Sequence, residues 1–381
     1  MDELQNADRA PETDDPLEET ESRVYVASQW LLMWWKFKAH KLALYSGIFI
    51  ILLYGIALFC EPLAPSEPYE YNSNYTYAPP QWLHVRHEGK FVRPYTYALK
   101  QEIEPEALRR IFTPDRETRI PLGFFVKGAP YKLWGLFEGD VHVFGPQDPE
   151  QIVHLLGADR LGRDLLSRII YGTRISLSIG LVGVAISFFL GTLLGGISGY
   201  YGGTVDVVIQ RVIEFLRSVP TIPLWMGLAA AVPSDWPPLR IYFSITVILS
   251  VIGWTGLARS VRGRFLSLRE EDFVVCARLD GASEYRVIMR HMVPSFASHM
   301  IASITLAIPG MILSETSLSF LGLGLQPPVI SWGVLLQEAQ NIRSVSSSPW
   351  LLLPALGVIV TVLSLNFFGD GLRDAADPYG R

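Results

Sequence analysis

The chain has 381 residues, of which 49% are hydrophobic and 18% are charged, and its formal net charge is −5. Soluble domains carry roughly 25% charged residues, so this composition argues against a soluble globular protein and favours a membrane protein. The two cysteines are too few for a disulfide framework. No nucleic-acid partner is expected.

The chain begins with a short acidic segment. Met1–Ser22 contains nine acidic side chains and one arginine. A run of this composition cannot bury an apolar core, so it predicts a disordered cytoplasmic tail over residues 1–24. We assign this tail no function.

Six transmembrane helices are predicted in an all-α membrane fold. A helix needs ~17 to 25 residues to cross a bilayer core, and four uncharged segments reach that length. Two shorter segments are expected to extend through flanking polar turns, with a buried core helix as the alternative for each. In chain order the six segments are Leu42–Cys60, Leu177–Ile197, Ser218–Val232, Ile241–Ala258, Met300–Ser314 and Leu351–Phe368.

The distribution of basic residues predicts the orientation. Seven arginines, from Arg259 to Arg290, lie between the fourth and fifth segments. Short loops with such an excess are usually cytoplasmic. The segment before the first span combines lysines with Trp34 and Trp35, which is typical of an interfacial helix on the same side. Both termini are then expected in the cytoplasm, and residues 61–164 form an extracytoplasmic insertion.

The insertion contains alternating apolar runs. Lys132–Gly145, with the sequence KLWGLFEGDVHVFG, alternates as half-buried β-strands do. The start of the insertion is instead rich in tyrosine and proline. We expect mixed or irregular structure here, either a small mixed α/β domain or a partly ordered loop.

The second span carries Gly191, Gly195 and Gly199 at a spacing of four residues. Helices in lipid approach closely through small residues, so this spacing predicts tight packing against another helix. A crossing at a translocation path is the functional alternative.

Ionisable residues near the predicted spans are few. Glu214, Arg217 and Glu315 fall near span ends, which argues against an ion-coupled carrier. Glu214 and Arg217 are three residues apart and are expected to pair on one helix face.

A charged stretch, Arg269–Phe296, separates the fourth and fifth spans. Acidic residues begin its first predicted helix, Arg278 ends it, and Gly281 stops it. Ser283 is suited to cap a second helix, which runs to a turn at Pro294. The apolar residues of this second helix form one predicted stripe: Tyr285, Ile288, Met289 and Met292. We expect two short helices under the membrane, with an apolar surface that a partner, lipid or the protein's own helices cover.

Enzymatic motifs are absent from the sequence. The phosphate loop G-x-x-x-x-G-K-[ST] does not occur, and the one Gly-Lys pair, Gly89-Lys90, is followed by Phe91. No H-E-x-x-H, paired-cysteine or G-x-S-x-G site occurs either. We therefore expect no enzyme activity, no cofactor and no metal site, and any ATPase would be a separate subunit.

Four motifs resemble one family. The charged stretch resembles the cytoplasmic loop of binding-protein-dependent ABC importer permeases, E-A-A, three residues, G, nine residues, I-x-L-P. Val275-Cys276-Ala277, Gly281 and His291–Pro294 stand at these positions, and Val275 and Cys276 depart from the pattern. Three further segments resemble the peptide and nickel subgroup, and in particular its second oligopeptide or dipeptide permease subunit: Leu155–Gly180 (LLGADRLGRDLLSRIIYGTRISLSIG), Ser319–Gly333 and Gly369–Pro378.

The resemblance implies a type I ABC importer permease in the bacterial inner membrane. Its domains would be the lead-in and first helix (25–60), the insertion (61–164), the permease domain (165–372) with a coupling loop (263–294), and a cytoplasmic tail (373–381). The implied partners are a second permease subunit, two ATP-binding cassette subunits, an extracytoplasmic substrate-binding protein and the lipid bilayer.

The resemblance also implies specific site residues. The coupling helices would occupy a groove of the ATPase, with Phe273 and Tyr285 as anchors. The residues implied in this coupling are Asp272, Phe273, Val275, Cys276, Ala277, Arg278, Gly281, Ala282, Tyr285, Arg286 and Pro294. The binding protein would dock on the segment before the second span and on Pro327–Gln337. Peptides are the expected cargo, and the alternatives are oligosaccharides or metal chelates, or a membrane scaffold or carrier without an ATPase.

Overall fold

The N-terminal helices lead directly into the membrane part of the protein. The computed structural model describes residues 29–88, 90–103, 110–233 and 235–376, so the predicted acidic tail and residues 377–381 lie outside the described residues. Helices α1 (Gln29–Ala39) and α2 (Lys41–Leu58) are separated by His40, whose ring nitrogen accepts from the N–H of Ala43 and caps α2. A four-residue helix, α3 (Cys60–Leu63), follows.

The insertion is built on one antiparallel sheet. Its strands are β1 (His84–His87), β2 (Lys90–Ile103), β3 (Arg110–Leu133) and β4 (Phe137–Pro146), adjacent in chain order. The predicted strands over Lys132–Gly145 are confirmed as the β3–β4 hairpin. Apart from α3 and a 3₁₀ turn at Ser73–Tyr75, the described residues of the insertion contain no helix.

The remaining helices form the membrane part and the loop between its spans. The first group is α4 (Leu165–Tyr201), α5 (Gly203–Ser218), α6 (Thr221–Ala230) and α7 (Pro238–Leu268). The loop contains α8 (Asp272–Leu279), α9 (Glu284–Arg286), a π-helical turn (Val287–Met292) and α10 (Val293–Ser295). The last group is α11 (Ala297–Phe320), α12 (Trp332–Gln337), α13 (Ile342–Ser347) and α14 (Leu353–Ala376).

Five of the described helices are long and apolar enough to cross a membrane: α2, α4, α7, α11 and α14. The remaining predicted span, Ser218–Val232, contains α6. This apolar helix has 10 residues, fewer than the ~17 that a single crossing helix needs.

Helix α4 packs on α7 through the glycines noted in the sequence. A Cβ atom at Gly195 would lie 2.4 Å from the carbonyl oxygen of Ala258, and one at Gly199 would lie 2.7 Å from that of Arg262. No side chain fits at these positions, so the predicted close packing is confirmed.

The predicted pair of Glu214 and Arg217 is wrong. Glu214 pairs with Arg211 at 2.8 Å, because Arg211 lies one turn earlier on the same exposed face of α5. The guanidinium of Arg217 instead extends toward Gly256 of α7.

Candidate functional site

The loop between α7 and α11 folds as short helical segments on a buried apolar base. Val274 of α8 is fully buried, and it belongs to the same cluster as Phe265 of α7. We call this cluster the buried base; its residues are Val261, Phe265, Val274, Ala277, Val287, Met292, Phe296 and Met300. The base connects the loop to the ends of two membrane helices, since α7 and α11 both contribute to it.

Gly281 ends α8 as predicted. Its N–H donates to the carbonyl of Arg278 (3.0 Å), and the N–H of Ala282 donates to the carbonyl of Ala277 (3.1 Å). These two bonds form a Schellman motif, in which Gly281 adopts a φ of +78°. A Cβ there would meet nothing within 4 Å. The backbone conformation, and not crowding, therefore favours glycine at this position.

The second segment departs from the predicted regular helix. Ser283 stands at the start of α9, but its side chain makes no capping hydrogen bond. The predicted apolar stripe is wrong for Tyr285 and Met289, which are exposed, whereas Ile288 and Met292 pack in the buried base. The π-helical turn adds Val287 to the buried side, because residues five apart, such as Val287 and Met292, lie on one face of such a turn.

The outward side of the loop carries exposed apolar side chains. Tyr285 is 74% exposed and Phe273 is 42% exposed. The exposed apolar side chains of this loop are Phe273, Val275, Leu279, Tyr285 and Met289. We call them the coupling surface, after the role that the family resemblance implies for this loop.

The residues implied in ATPase coupling divide between this outward side and the interior. Ala277 is buried in the base and Ala282 is half-buried, so these two support the helices instead of facing outward. The structure leaves the other nine exposed: Asp272, Phe273, Val275, Cys276, Arg278, Gly281, Tyr285, Arg286 and Pro294.

Two tyrosines at the end of α4 hold the loop in place. The hydroxyl of Tyr201 donates to Glu284 Oε2 at 2.8 Å. The guanidinium of Arg278 lies over the ring of Tyr200, 4.9 Å from its centroid. Sequence reasoning missed both contacts, because Tyr201 and Glu284 are 83 positions apart.

An ion pair beside the base was also missed. Arg262 of α7 binds both carboxylate oxygens of Asp206, at 2.5 Å each, and Ser198 Oγ donates to the same carboxylate at 2.5 Å. The hydrogen bonds from Arg262 are the main reason that the pKa of Asp206 is below its usual value. The pair fixes the start of α5 to α7.

At the other end of the molecule, the motif before α4 forms a buried charged cluster. Arg163 Nε lies 2.6 Å from Asp159 Oδ2, and Arg168 Nε lies 3.4 Å from the same oxygen. Arg163 also lies 3.5 Å from Glu338, and Asp164 caps α4. The cluster thus joins the start of α4 to Glu338, which follows α12.

The segments at which a binding protein was expected to dock are largely buried in the folded chain. In residues 157–164, Arg160 is the exposed side chain. In Pro327–Gln337, the run Trp332–Leu336 is buried, and the backbone N–H of Trp332 donates to Ser176 Oγ of α4. Docking of a binding protein stays a prediction, for which Arg160, Pro327 and Pro328 are the exposed residues of these segments.

Glu315 is fully buried in α11. Its Oε1 accepts from Ser319 Oγ at 2.8 Å and from Ser331 Oγ at 2.7 Å. Ser331 in turn caps α12, accepting from the N–H of Val334. The glutamate therefore holds the loop after α11 against the membrane helices.

A cavity of about 520 Å³ lies between the N-terminal ends of α4 and α7 and the loop after α11. Its lining includes Tyr69, Tyr171, Arg174, Ser178, Tyr242 and Val329. Within the part of the chain that the structure describes, no three His, Cys, Asp or Glu side chains are grouped to hold a metal ion.

Comparison with known proteins identifies the family. Residues 191–379 match the family described as binding-protein-dependent transport system inner membrane component, and residues 28–80 match the N-terminal transmembrane domain of oligopeptide transport permease C. The oligopeptide transport system permease protein OppC of Haemophilus influenzae is 42% identical over 229 residues, which cover 60% of this chain and 71% of that protein. The chain belongs to this family of binding-protein-dependent permeases.

The permease has further relatives. The dipeptide transport system permease protein DppC of Bacillus subtilis is 38% identical, with 60% of this chain and 70% of that protein covered. The glutathione transport system permease protein GsiD of Pectobacterium atrosepticum is 36% identical, with 65% and 79% covered. A solved structure of the inward-facing MetNI methionine ABC transporter covers 54% of this chain and 95% of that chain, with 15% identity and a TM-score of 0.42.

The family match confirms the resemblance drawn from the four motifs. The chain is a multi-pass inner-membrane transport permease with an insertion after its first membrane helix. Permeases of this family work with ATPase subunits and a substrate-binding protein.

Proposed function

We propose that this permease is one of two permease subunits of an ATP-driven peptide importer, and that its coupling surface binds an ATPase subunit. The observation that carries the proposal is the exposed coupling surface on its buried base. We propose peptides as the cargo because similar permeases are named for oligopeptides and dipeptides. The arginine-rich loop supports a cytoplasmic position for this surface and for both termini.

Transmission of force requires a rigid connection between the coupling surface and the membrane helices. Val274 of α8 packs in the base with Phe265 of α7. A Cβ at Gly199 of α4 would lie 2.6 Å from Phe265 Cβ, so α4 and α7 are in close contact at the same level. A displacement of α8 by an ATPase would therefore move the C-terminal ends of α7 and α4 together.

The second permease subunit is proposed to cover α5. Four of its exposed apolar residues, Val205, Val208, Val212 and Phe215, fall three or four positions apart, on one side of the helix. Phe215 is 69% exposed. An apolar helix face of this length beside the coupling loop fits a neighbouring membrane subunit.

Binding of the ATPase tests the proposal. The double variant Phe273→Ala/Tyr285→Ala removes the two aromatic anchors, and truncation of such anchors commonly costs about 2 kcal/mol or more, which is roughly 30-fold in Kd. Phe91→Ala is the matched control, because Phe91 is 77% exposed on β2 in the insertion. We expect the double variant to lose ATPase binding and uptake while the control retains both. Full ATPase binding by the double variant would refute the proposal.

The cargo requires a separate measurement. The reconstituted complex is assayed for ATP hydrolysis with its binding protein loaded with peptides, oligosaccharides or metal chelates. We expect peptides to stimulate hydrolysis, and we place their path along the cavity lined by Tyr171 and Tyr242. Stimulation by oligosaccharides or metal chelates, without stimulation by peptides, would replace the peptide assignment and leave the coupling surface unaffected.

A further inference from the structure

The tip of the β3–β4 hairpin is an exposed apolar turn. Its sequence, Leu133–Phe137, contains no charged side chain. Leu136 is 75% exposed and Phe137 is 60% exposed. Turns in water are dominated by Gly, Asn, Asp, Ser and Pro, so this turn is suited to an apolar environment.

The tip is fixed at the end of the first membrane helix. The indole N–H of Trp134 donates to the carbonyl of Leu58, the last residue of α2, at 2.7 Å. The backbone N–H of Trp134 donates to Glu61 Oε1 at 3.1 Å. Arg174 of α4 binds the same carboxylate at 2.6 Å. The hairpin therefore ends at the level where α2 leaves the membrane.

The Glu61 carboxyl, which joins the hairpin tip to Arg174, is held in its ionised form by its hydrogen bonds. Burial opposes ionisation of Glu61, but hydrogen bonds from Arg174 and from the Trp134 N–H outweigh it, and the pKa of Glu61 lies below its usual value. The carboxylate is therefore available as an acceptor for the turn at neutral pH.

The turn keeps a tryptophan where its backbone favours glycine. Trp134 has a φ of +54° and Gly135 a φ of +74°, and the N–H of Leu136 donates to the carbonyl of Leu133 at 3.0 Å. A left-handed conformation is strained for a bulky residue. The indole N–H bond to Leu58, which a glycine could not make, favours tryptophan at this position in spite of the strain.

The apolar surface of the tip continues onto an apolar face of α2. Tyr45, Ile48 and Leu52 are exposed and lie on one side of this helix, as a lipid-facing stripe does, and Phe59, the residue after its end, is exposed as well. The ring of Phe59 lies 5.9 Å from that of Trp134, which lies 6.4 Å from that of Phe137. Tryptophan is enriched at membrane–water interfaces, where its ring contacts lipid and its N–H finds an acceptor.

We propose that the hairpin tip inserts into the lipid headgroup boundary of the leaflet that contains the Leu58 end of α2. The partner is the phospholipid bilayer. The ion pair of Lys132 and Glu138, at 3.1 Å, occupies the next strand position and marks the polar limit of insertion. Interfacial elements bury their apolar face by ~5 to 10 Å. The tip would thereby hold the sheet of the insertion at a constant angle to the membrane.

Depth-dependent fluorescence quenching tests the proposal on the full chain in nanodiscs of phosphatidylethanolamine and phosphatidylglycerol. A Cys276→Ser background leaves the buried Cys60 as the remaining native thiol. Leu136→Cys and Phe137→Cys are labelled separately with an environment-sensitive fluorophore. The matched control is Asp140→Cys, because Asp140 is 53% exposed on the same hairpin and lies three residues beyond Phe137.

We expect a nitroxide lipid labelled near its headgroup to quench both tip labels at least two-fold more than the Asp140 label, while aqueous iodide shows the opposite order. Equal quenching of tip and control labels by the lipid probe would overturn the proposal. Protection of the tip labels from both quenchers would also overturn it, because that result indicates a protein partner.

Discussion

The guanidinium of Arg262 donates two hydrogen bonds of 2.5 Å to the two carboxylate oxygens of Asp206. This pair joins the first turn of α5 to α7, one turn before Phe265 of the buried base. The pair is thus a charged junction between α5 and α7 beside the buried base, which neither the apolar spans nor the family motifs of the sequence had indicated.

The first prediction concerns this junction. Asp206→Asn and Arg262→Gln are each expected to lower the free energy of unfolding by about 1 kcal/mol, because a charge-assisted hydrogen-bonded pair is lost. In a double-mutant cycle the two changes are expected to couple by about 0.5 kcal/mol or more. The free energies of unfolding of the wild type, the two single variants and the double variant are measured by denaturant unfolding in detergent micelles. Strict additivity would show that the pair does not act as a unit.

The second prediction is the pH dependence of the same pair. The pKa of Asp206 is lowered in the folded protein, so its stabilising contribution is complete above the unfolded value of about 3.9 and is lost as pH falls through the folded value. We expect wild type to remain more stable than Asp206→Asn at pH 7 and pH 5, with a smaller difference below pH ~4. Disappearance of the difference already at pH 6 would contradict this assignment.

The third prediction concerns the joint after α8. Gly281→Ala is expected to destabilise the protein by about 1 kcal/mol, because alanine is strained at a φ of +78° although space for its Cβ is free. Gly281→Asn is the matched control, since asparagine tolerates the left-handed region better. Unfolding of the two variants is compared under one condition. An asparagine variant as unstable as the alanine variant would argue for crowding instead of backbone strain.

The fourth prediction tests the packing of α4 on α7. Gly195→Ala would place a Cβ 2.4 Å from the carbonyl oxygen of Ala258, and overpacking of this kind costs about 1 to 3 kcal/mol. Gly227→Ala in α6 is the control, because nothing lies within 4 Å of the added atom. Thermal inactivation in nanodiscs is expected to be faster for the first variant alone. Equal inactivation of the two variants would mean that α4 can move away from α7.

The fifth prediction separates charge from hydrogen bonding at Glu315. Glu315→Gln keeps an oxygen acceptor for Ser319 and Ser331, whereas Glu315→Leu removes it and leaves two buried hydroxyls without their acceptor. We expect the leucine variant to lose about 1 to 3 kcal/mol of unfolding free energy and the glutamine variant to lose much less. If both variants lose the same amount, the acceptor oxygen shared by Ser319 and Ser331 does not account for the role of Glu315.

The features that sequence reasoning predicted depend on local chemistry. Long apolar segments predict membrane helices because the bilayer demands them, and Gly281 predicts a helix end because its backbone conformation is decided within a few residues. The strand structure over Lys132–Gly145 was predicted from its alternation. Strand β2, in contrast, contains charged residues at irregular positions and depends on its pairing with β3 for order.

Within the candidate site, the exposed anchors were predicted but their support was not. The π-helical turn moves Met292 inward, and apolar spacing alone does not show whether a helix hydrogen-bonds at four or five residues. The contact of Tyr201 with Glu284, 83 positions along the chain, depends on how α4 lies against the loop. Such long-range pairs require the folded arrangement of the membrane helices.

Arg174 does more than pair with Glu61, because its guanidinium also donates to the carbonyls of Ala57 and Leu58. These bonds tether the segment that precedes the sheet to the helix that follows it. The entropic cost of closing a loop rises only slowly with the number of residues between its two tethered ends. Residues can therefore be added to or removed from the sheet's loops without displacing α2 or α4, which makes this part of the permease a suitable place to introduce an affinity tag or a fused reporter.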